Sequence, residues 1–204
     1  MFSLEIFKEM VAAAGVDIRT HEKYFSELDA AAGGDGDHGT AIVTAFGAMA
    51  KADGADFKSY LKALSDALQS EACGSTSALY GAWLQGMSDA VPEGAAELGA
   101  PGVAAMFKGG LAEIGFTTRA KVGDKTLMDA LIPATDALVA AEGGGLSAMF
   151  KAAADAAAKG SEATAPMRAK FGRAKNLGDR SIGPVDAGSA SMACIFNAFS
   201  KCFN

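Results

Sequence analysis

The chain has 204 residues, half of them apolar, and a formal net charge of −6. That length accommodates one domain with a sizeable core, and the composition is too apolar for a disordered segment. There is no basic stripe of the kind nucleic-acid binding needs, and the apolar runs are too short and too diluted by Ala and Gly to predict a membrane span.

Met1–Ile6 lacks a basic region followed by an apolar stretch, which predicts no signal peptide. Apolar residues then recur at helical spacing along the whole chain, and no segment alternates with period two. The first stripe is Leu4, Phe7, Val11 and Ala14, and the second is Tyr24, Phe25 and Leu28. After Gly39 begins a further helix. Phe57, Tyr60, Leu61, Leu64 and Leu68 form the clearest stripe. Pro101 suits the first turn of a helix carrying Val103, Met106, Phe107, Leu111 and Ile114. Leu127, Leu131, Ala134 and Leu138 follow, with Pro133 predicting a kink. Leu146, Met149, Phe150 and Ala153, then Met192, Ile195, Phe196 and Phe199, close the series. These stripes read as core packing. Cys73, Cys194 and Cys202 are odd in number and lack metal spacing, the pattern of reduced cytoplasmic thiols. The reading is one all-α domain over residues 1–204, in the cytoplasm.

The connections carry the chemistry. Four are plain: Gly15–Ile18, Ala52–Asp56, Val91–Ala100 and Glu142–Gly145. Four hold unusual residues: Gly33–His38, Ala72–Ser75, Phe116–Lys125 and Gly172–Gly188. The two kinds alternate. In an up-and-down bundle every second loop lies at the same end, so the four special loops are expected at one rim.

In the first of these, Asp35 and Asp37 lie in a glycine bed with Asp29 just upstream. Hard cations such as Mg²⁺ favour such all-oxygen donors, and clustered carboxylates repel one another without a cation. A helix starting near Gly39 would aim its free N–H groups at the same spot. His38 is either a phosphate partner or a loop-holding residue. The second loop offers Ser75 and Thr76, as anion-binding hydroxyls or as caps. In the third, Lys125 beside Gly123 could reach a phosphate, while Asp124 or Thr126 could cap the next helix. The fourth is long enough to be a lid. It carries Arg173 and Arg180, candidates either for phosphate contacts or for salt bridges that pin the loop.

Together these segments resemble the DhaL family, the nucleotide-binding subunits of dihydroxyacetone kinases. The resemblance spans essentially the whole chain. It rests on Leu28-Asp29 followed by Gly34-Asp35-Gly36-Asp37-His38-Gly39, on Gly123-Asp124-Lys125-Thr126, and on Gly172-Arg173-Ala174 with Leu177-Gly178-Asp179-Arg180-Ser181-Ile182-Gly183. It implies an eight-helix antiparallel barrel with the nucleotide at one rim. By the same resemblance Asp29, Asp35 and Asp37 hold two Mg²⁺ ions that bridge the phosphates of ATP or ADP. His38, Gly39, Thr40 and Ala41, with Ser75 and Thr76, line those phosphates. Thr118 and Leu127 line the nucleotide pocket, and Arg173 with Asp186, Ala187 and Gly188 belong to the lid. The chain departs from the family pattern at five places. There is one extra residue between Asp29 and Asp35, and Ser77 stands where Gly is usual. Pro184 and Ala187 replace lid His and Pro, and Lys175-Asn176 replaces Ser-Tyr.

In that family the ketose sits on a separate subunit or domain, bound through a histidine. Only His21 and His38 occur here, so the resemblance implies a DhaK-like ketose-binding partner and no nucleic-acid or membrane partner. The expected function is a Mg²⁺- and nucleotide-binding subunit of a short-ketose kinase, passing the γ-phosphoryl group of ATP to the ketose. One alternative is a subunit that holds ADP permanently and is rephosphorylated by a phosphotransferase-system protein. Another is a non-catalytic nucleotide-sensing module.

Overall fold

The structure is a computed structural model that describes residues 1–70 and 74–203, the side chain of Thr76 excepted. Among the described residues there are nine α-helices: α1 (Leu4–Thr20), α2 (Glu22–Ala31), α3 (His38–Met49), α4 (Phe57–Ser70), α5 (Ser75–Asp89), α6 (Ala100–Thr117), α7 (Met128–Ala140), α8 (Gly145–Glu162) and α9 (Ala187–Lys201). His21 is at once the C-cap of α1 and the N-cap of α2. The expected connection at Gly15–Ile18 instead lies inside α1, and the break falls at His21; with α1 and α2 counted as one broken rod, the helical architecture is the expected eight rods. Successive rods pack side by side, and α9 returns to pack against α1, which closes the ring. The sequence did not announce one feature: the two-residue strands β1 (Phe2–Ser3) and β2 (Glu97–Leu98) pair antiparallel, Phe2 opposite Leu98. Two residues are too few for an alternating pattern to register.

Local chemistry sets the helix ends. Ser3 caps α1, its hydroxyl accepting the Ile6 N–H at 3.3 Å. Pro101 sits in the first turn of α6. Helix α7 runs through Pro133. Asp56 accepts the N–H groups of Ser59 at 2.7 Å and of Gly94 at 2.7 Å. It thereby ties the α3–α4 connection to the α5–α6 connection at the plain end of the barrel.

That plain end is filled with aromatic rings. Phe2, Phe7, Phe57, Phe107, Phe150 and Phe196 are fully buried, and Phe150 stacks on Phe203 at 4.8 Å between ring centroids. Each such ring contributes about 2–3 kcal/mol of transfer free energy, and its edge-to-face contacts, as between Phe107 and Phe150, fix its orientation. Because the plug lies toward the starts of α1, α4 and α8 and the end of α9, the opposite rim is free to open.

Candidate functional site

At that rim the four special connections converge on one cleft of about 880 Å³, within the size range of small-molecule sites. The first connection builds an acidic mouth. Asp29 stands in the last turn of α2. Its backbone carbonyl accepts the Gly34 N–H at 2.8 Å, and its carboxylate accepts the Gly36 N–H at 2.8 Å. Gly36 takes a φ of +75°, a left-handed conformation that glycine adopts without strain. The chain thus doubles back. One carboxylate oxygen each from Asp29, Asp35 and Asp37 lies within 4.8 Å of the others. Asp29 is half-buried, while Asp35 and Asp37 are exposed. The Arg173 guanidinium, reaching over from the fourth connection, pairs with Asp35. A set of hard oxygen donors that already draws a cation onto itself fits Mg²⁺.

Helix α3 begins beside this cluster. Asp37 is its N-cap residue but makes no side-chain cap hydrogen bond, so its carboxylate stays with the cluster. The first N–H groups of α3 have no intrahelical acceptor. His38, Thr40 and Ala41 line the cleft. Gly39 does not: it is buried against α2, where a Cβ would run into the Glu22 carbonyl oxygen. Ser191 Oγ donates to the Gly188 carbonyl at 3.0 Å, so the His38 ring donates to Ser191 from Nε2 at 2.9 Å. Tyr80 adds a third hydroxyl contact at 3.2 Å. Burial lowers the His38 pKa, against the opposing charge of Asp29 and the Ala187 backbone.

Gly74 and Ser75 contribute the second connection's share of the lining, and Gly74 rather than Ser75 is the N-cap residue of α5. The Thr76 side chain, Ala72 and Cys73 lie outside the described residues.

The third and fourth connections form the floor. Asp129, in the first turn of α7, accepts the Gly123 N–H at 2.6 Å and the Thr126 N–H at 2.7 Å. Lys125 has a φ of +60° and is buried. Its ammonium donates to the Thr164 carbonyl at 2.7 Å and the Pro184 carbonyl at 2.6 Å. Two of its three donors thus tie the two connections together, while the residue also lines the cleft. Burial lowers its pKa, while the carboxylates of Asp186 and Asp129 raise it. Asp124 does not cap α7. It is buried, accepts the Lys121 N–H at 3.0 Å and pairs with Lys170 at 2.8 Å, and that lysine lowers its pKa. Asp186 caps α9 by accepting the Ser189 N–H at 2.7 Å. Loss of water pushes its pKa up to about 7, helped by the charges of Asp129 and Asp29 and resisted by Ser189 and Lys125.

Thr118, Leu127, Arg173, Asp186, Ala187 and Gly188 all line the cleft. Arg180 is exposed and does not. Four polar residues of the site were missed from sequence: Asp129, Thr164, Tyr80 and Ser191. Only Asp129 left a signal, since Thr126-Leu127-Met128-Asp129 has the spacing of a capping box. The others sit among ordinary helical residues or, for Thr164, in an irregular stretch.

Comparison with known proteins agrees with this geometry. Residues 32–201 match the family model of the DAK2 domain. A D-erythrulose kinase of Mycolicibacterium smegmatis is 33% identical over 195 residues, which is 89% of this chain and 32% of that protein. The ADP-binding subunit DhaL of PEP-dependent dihydroxyacetone kinase 2 from Listeria innocua is 31% identical over 198 residues, 94% of this chain and 91% of that one. The crystal structure of the dihydroxyacetone kinase from C. freundii in complex with AMP-PNP and Mg²⁺ superposes with a TM-score of 0.72 at 25% identity, covering 95% of this chain and 33% of that one. The chain thus spans about a third of the longer kinases and nearly all of the shorter subunit.

Proposed function

The chain belongs to the DAK2 domain family, and on that premise we propose that it is the Mg²⁺- and nucleotide-binding subunit of a short-ketose kinase, a single domain over its 204 residues. The observation that carries this reading is the acidic mouth: three carboxylates converge beside the open start of α3 in a cleft of nucleotide size. Mg²⁺ held by Asp29, Asp35 and Asp37, as two ions by the family resemblance, would neutralise charge on the transferring phosphoryl group.

The residues of the chain position the nucleotide around that centre. The free N–H groups at the start of α3, at His38 and Thr40, face the phosphates, as helix starts do in many anion sites, and Ala41 lines the same wall. The His38 imidazole, committed to Ser191, holds that turn in place. Ser75 closes the phosphate side, where the family resemblance also assigns Thr76. Thr118 and Leu127 cover the nucleoside. Arg173 leaves Asp35 for the phosphates, where its fork matches their oxygens. Asp186, Ala187 and Gly188 form the wall beneath the lid. The catalytic contribution is positioning and charge stabilisation. The ketose comes from a DhaK-like partner: His21 bonds its own helix through Nδ1 and His38 is taken by Ser191, so neither is placed to hold it.

A second reading has its own support. The relatives matched over nearly their whole length, from Listeria innocua and Lactococcus lactis, are named ADP-binding subunits of PEP- or PTS-dependent kinases. On that reading ADP stays bound as a coenzyme and a phosphotransferase-system protein rephosphorylates it. Mass spectrometry of the gently purified protein, followed by calorimetry with ATP and ADP, separates the two. Reversible Mg²⁺-dependent ATP binding to an empty site supports the kinase subunit. ADP that survives purification and resists exchange supports the coenzyme. A chain that binds neither nucleotide sinks both.

A further inference from the structure

Charge is distributed unevenly over this molecule. Residues 116–127 and 164–184 hold eight of its 18 lysines and arginines but two of its 24 acidic residues. They carry a net charge of +6, and the rest of the chain carries −12. One of the two acids, Asp124, is buried under Lys170. Arg119, Lys121 and Lys175 are exposed and have no ion-pair partner among the described residues.

Large apolar side chains stand among these cations. Phe116 is 87% exposed, Val122 54% and Ile182 45%. Scattered singly, such residues need no explanation. Here hydrogen bonds join the Val122 and Ile182 segments into one lip, with Phe116 on the same connection as Val122: Lys170 donates to the Gly123 carbonyl at 2.8 Å, next to Val122, and the neighbouring Ala169 N–H donates to Ser181 at 3.0 Å, next to Ile182. The inner edge of the lip is the cleft itself, since Thr117, Thr118 and Ala120 line it on one side and Phe171 to Ala174 on the other.

We propose that this lip is the docking surface for the ketose-holding partner, and that the partner's facing surface is acidic around an apolar socket. This rests on the kinase-subunit reading and adds the element that makes the contact. Exposed aromatic and arginine side chains, here Phe116 and Arg119 on one connection, are enriched in protein interfaces, and a one-signed patch orients and speeds encounter with an oppositely charged partner. The alternatives explain less. Steering of a free nucleotide needs the cations but not Phe116, and a bilayer lying on the lip would cover the mouth through which the phosphoryl group must leave.

The test pairs Phe116→Ala with a triple variant, Arg119→Glu, Lys121→Glu and Lys175→Glu, each checked for unchanged melting temperature. A purified DhaK-like ketose-binding subunit serves as partner. Both variants should bind Mg²⁺–ATP within about twofold of the unaltered chain, since none of the four residues lines the cleft. The KM for the partner should rise about tenfold or more in the triple variant and about fivefold in Phe116→Ala. Added salt should raise that KM for the unaltered chain and leave the triple variant nearly flat. A partner KM unchanged in both variants overturns the proposal. So does salt-sensitive binding to phosphatidylserine vesicles that the variants lose while the partner KM stays put. If the unaltered chain fails to bind Mg²⁺–ATP, the kinase reading falls instead. Sedimentation velocity of chain and partner, with and without the substitutions, then still decides the lip.

Discussion

The floor and the mouth of the cleft are both built from charged residues, yet they are held in opposite ways. On the floor, Lys125 and Asp129 are buried, and each is fastened to two backbone groups. At the mouth, Asp35 and Asp37 are exposed, and among the described residues the one side-chain cation on the cluster is Arg173 on Asp35. A buried charge that has spent its hydrogen bonds on the backbone supports the structure. An exposed carboxylate beside two others, with a single exposed counter-charge, is available to a ligand. Identical residue types therefore do different work on the two sides of one cleft.

Substitutions sharpen this contrast. Lys125→Met leaves the Thr164 and Pro184 carbonyls without their buried donor and should lower the unfolding free energy by about 3 kcal/mol, read by urea denaturation. A loss under about 1 kcal/mol would put the floor on the same footing as the mouth. Asp37→Asn should do the reverse. Its stability should stay within about 0.5 kcal/mol, while Mg²⁺-dependent nucleotide affinity falls about 100-fold, read by calorimetry. Asp186 tests the floor through pH. Its folded pKa of about 7 stands above the ordinary 3.8, so the folded, nucleotide-free chain holds a proton that the unfolded chain has released. That share of stability is complete below pH 4 and is lost as pH rises toward 7. Asp186→Asn should flatten it, and an unchanged pH slope would break the assignment. Arg173→Ala should also have a small effect on stability, below about 1 kcal/mol, because both partners of its ion pair are exposed.

The sequence made the mouth legible and left the floor obscure, for a physical reason. Asp29, Asp35 and Asp37 are close in sequence and bedded in glycine, so their convergence is a local property of one turn. The gathering of the four connections followed from helix parity alone, and the closed ring of rods supports it. The anchoring of Lys125 was not legible because its partners, Thr164 and Pro184, lie 39 and 59 residues away, and a backbone carbonyl leaves no trace in a sequence. Ser191 and Tyr80 were overlooked for a similar reason, as polar residues on otherwise ordinary helices. Gly39 reads locally as a phosphate-loop glycine, yet its position is fixed by contact with Glu22 across a helix interface. The β1–β2 pair escaped because a two-residue ladder has no period to detect.

The most direct test of the account is anomalous diffraction from crystals grown with Mn²⁺ in place of Mg²⁺ and a non-hydrolysable ATP analogue. The account predicts metal signal among Asp29, Asp35 and Asp37, phosphates at the start of α3, and Arg173 moved from Asp35 onto the nucleotide. Metal elsewhere, with the Arg173–Asp35 pair intact and the cleft without nucleotide, would contradict it.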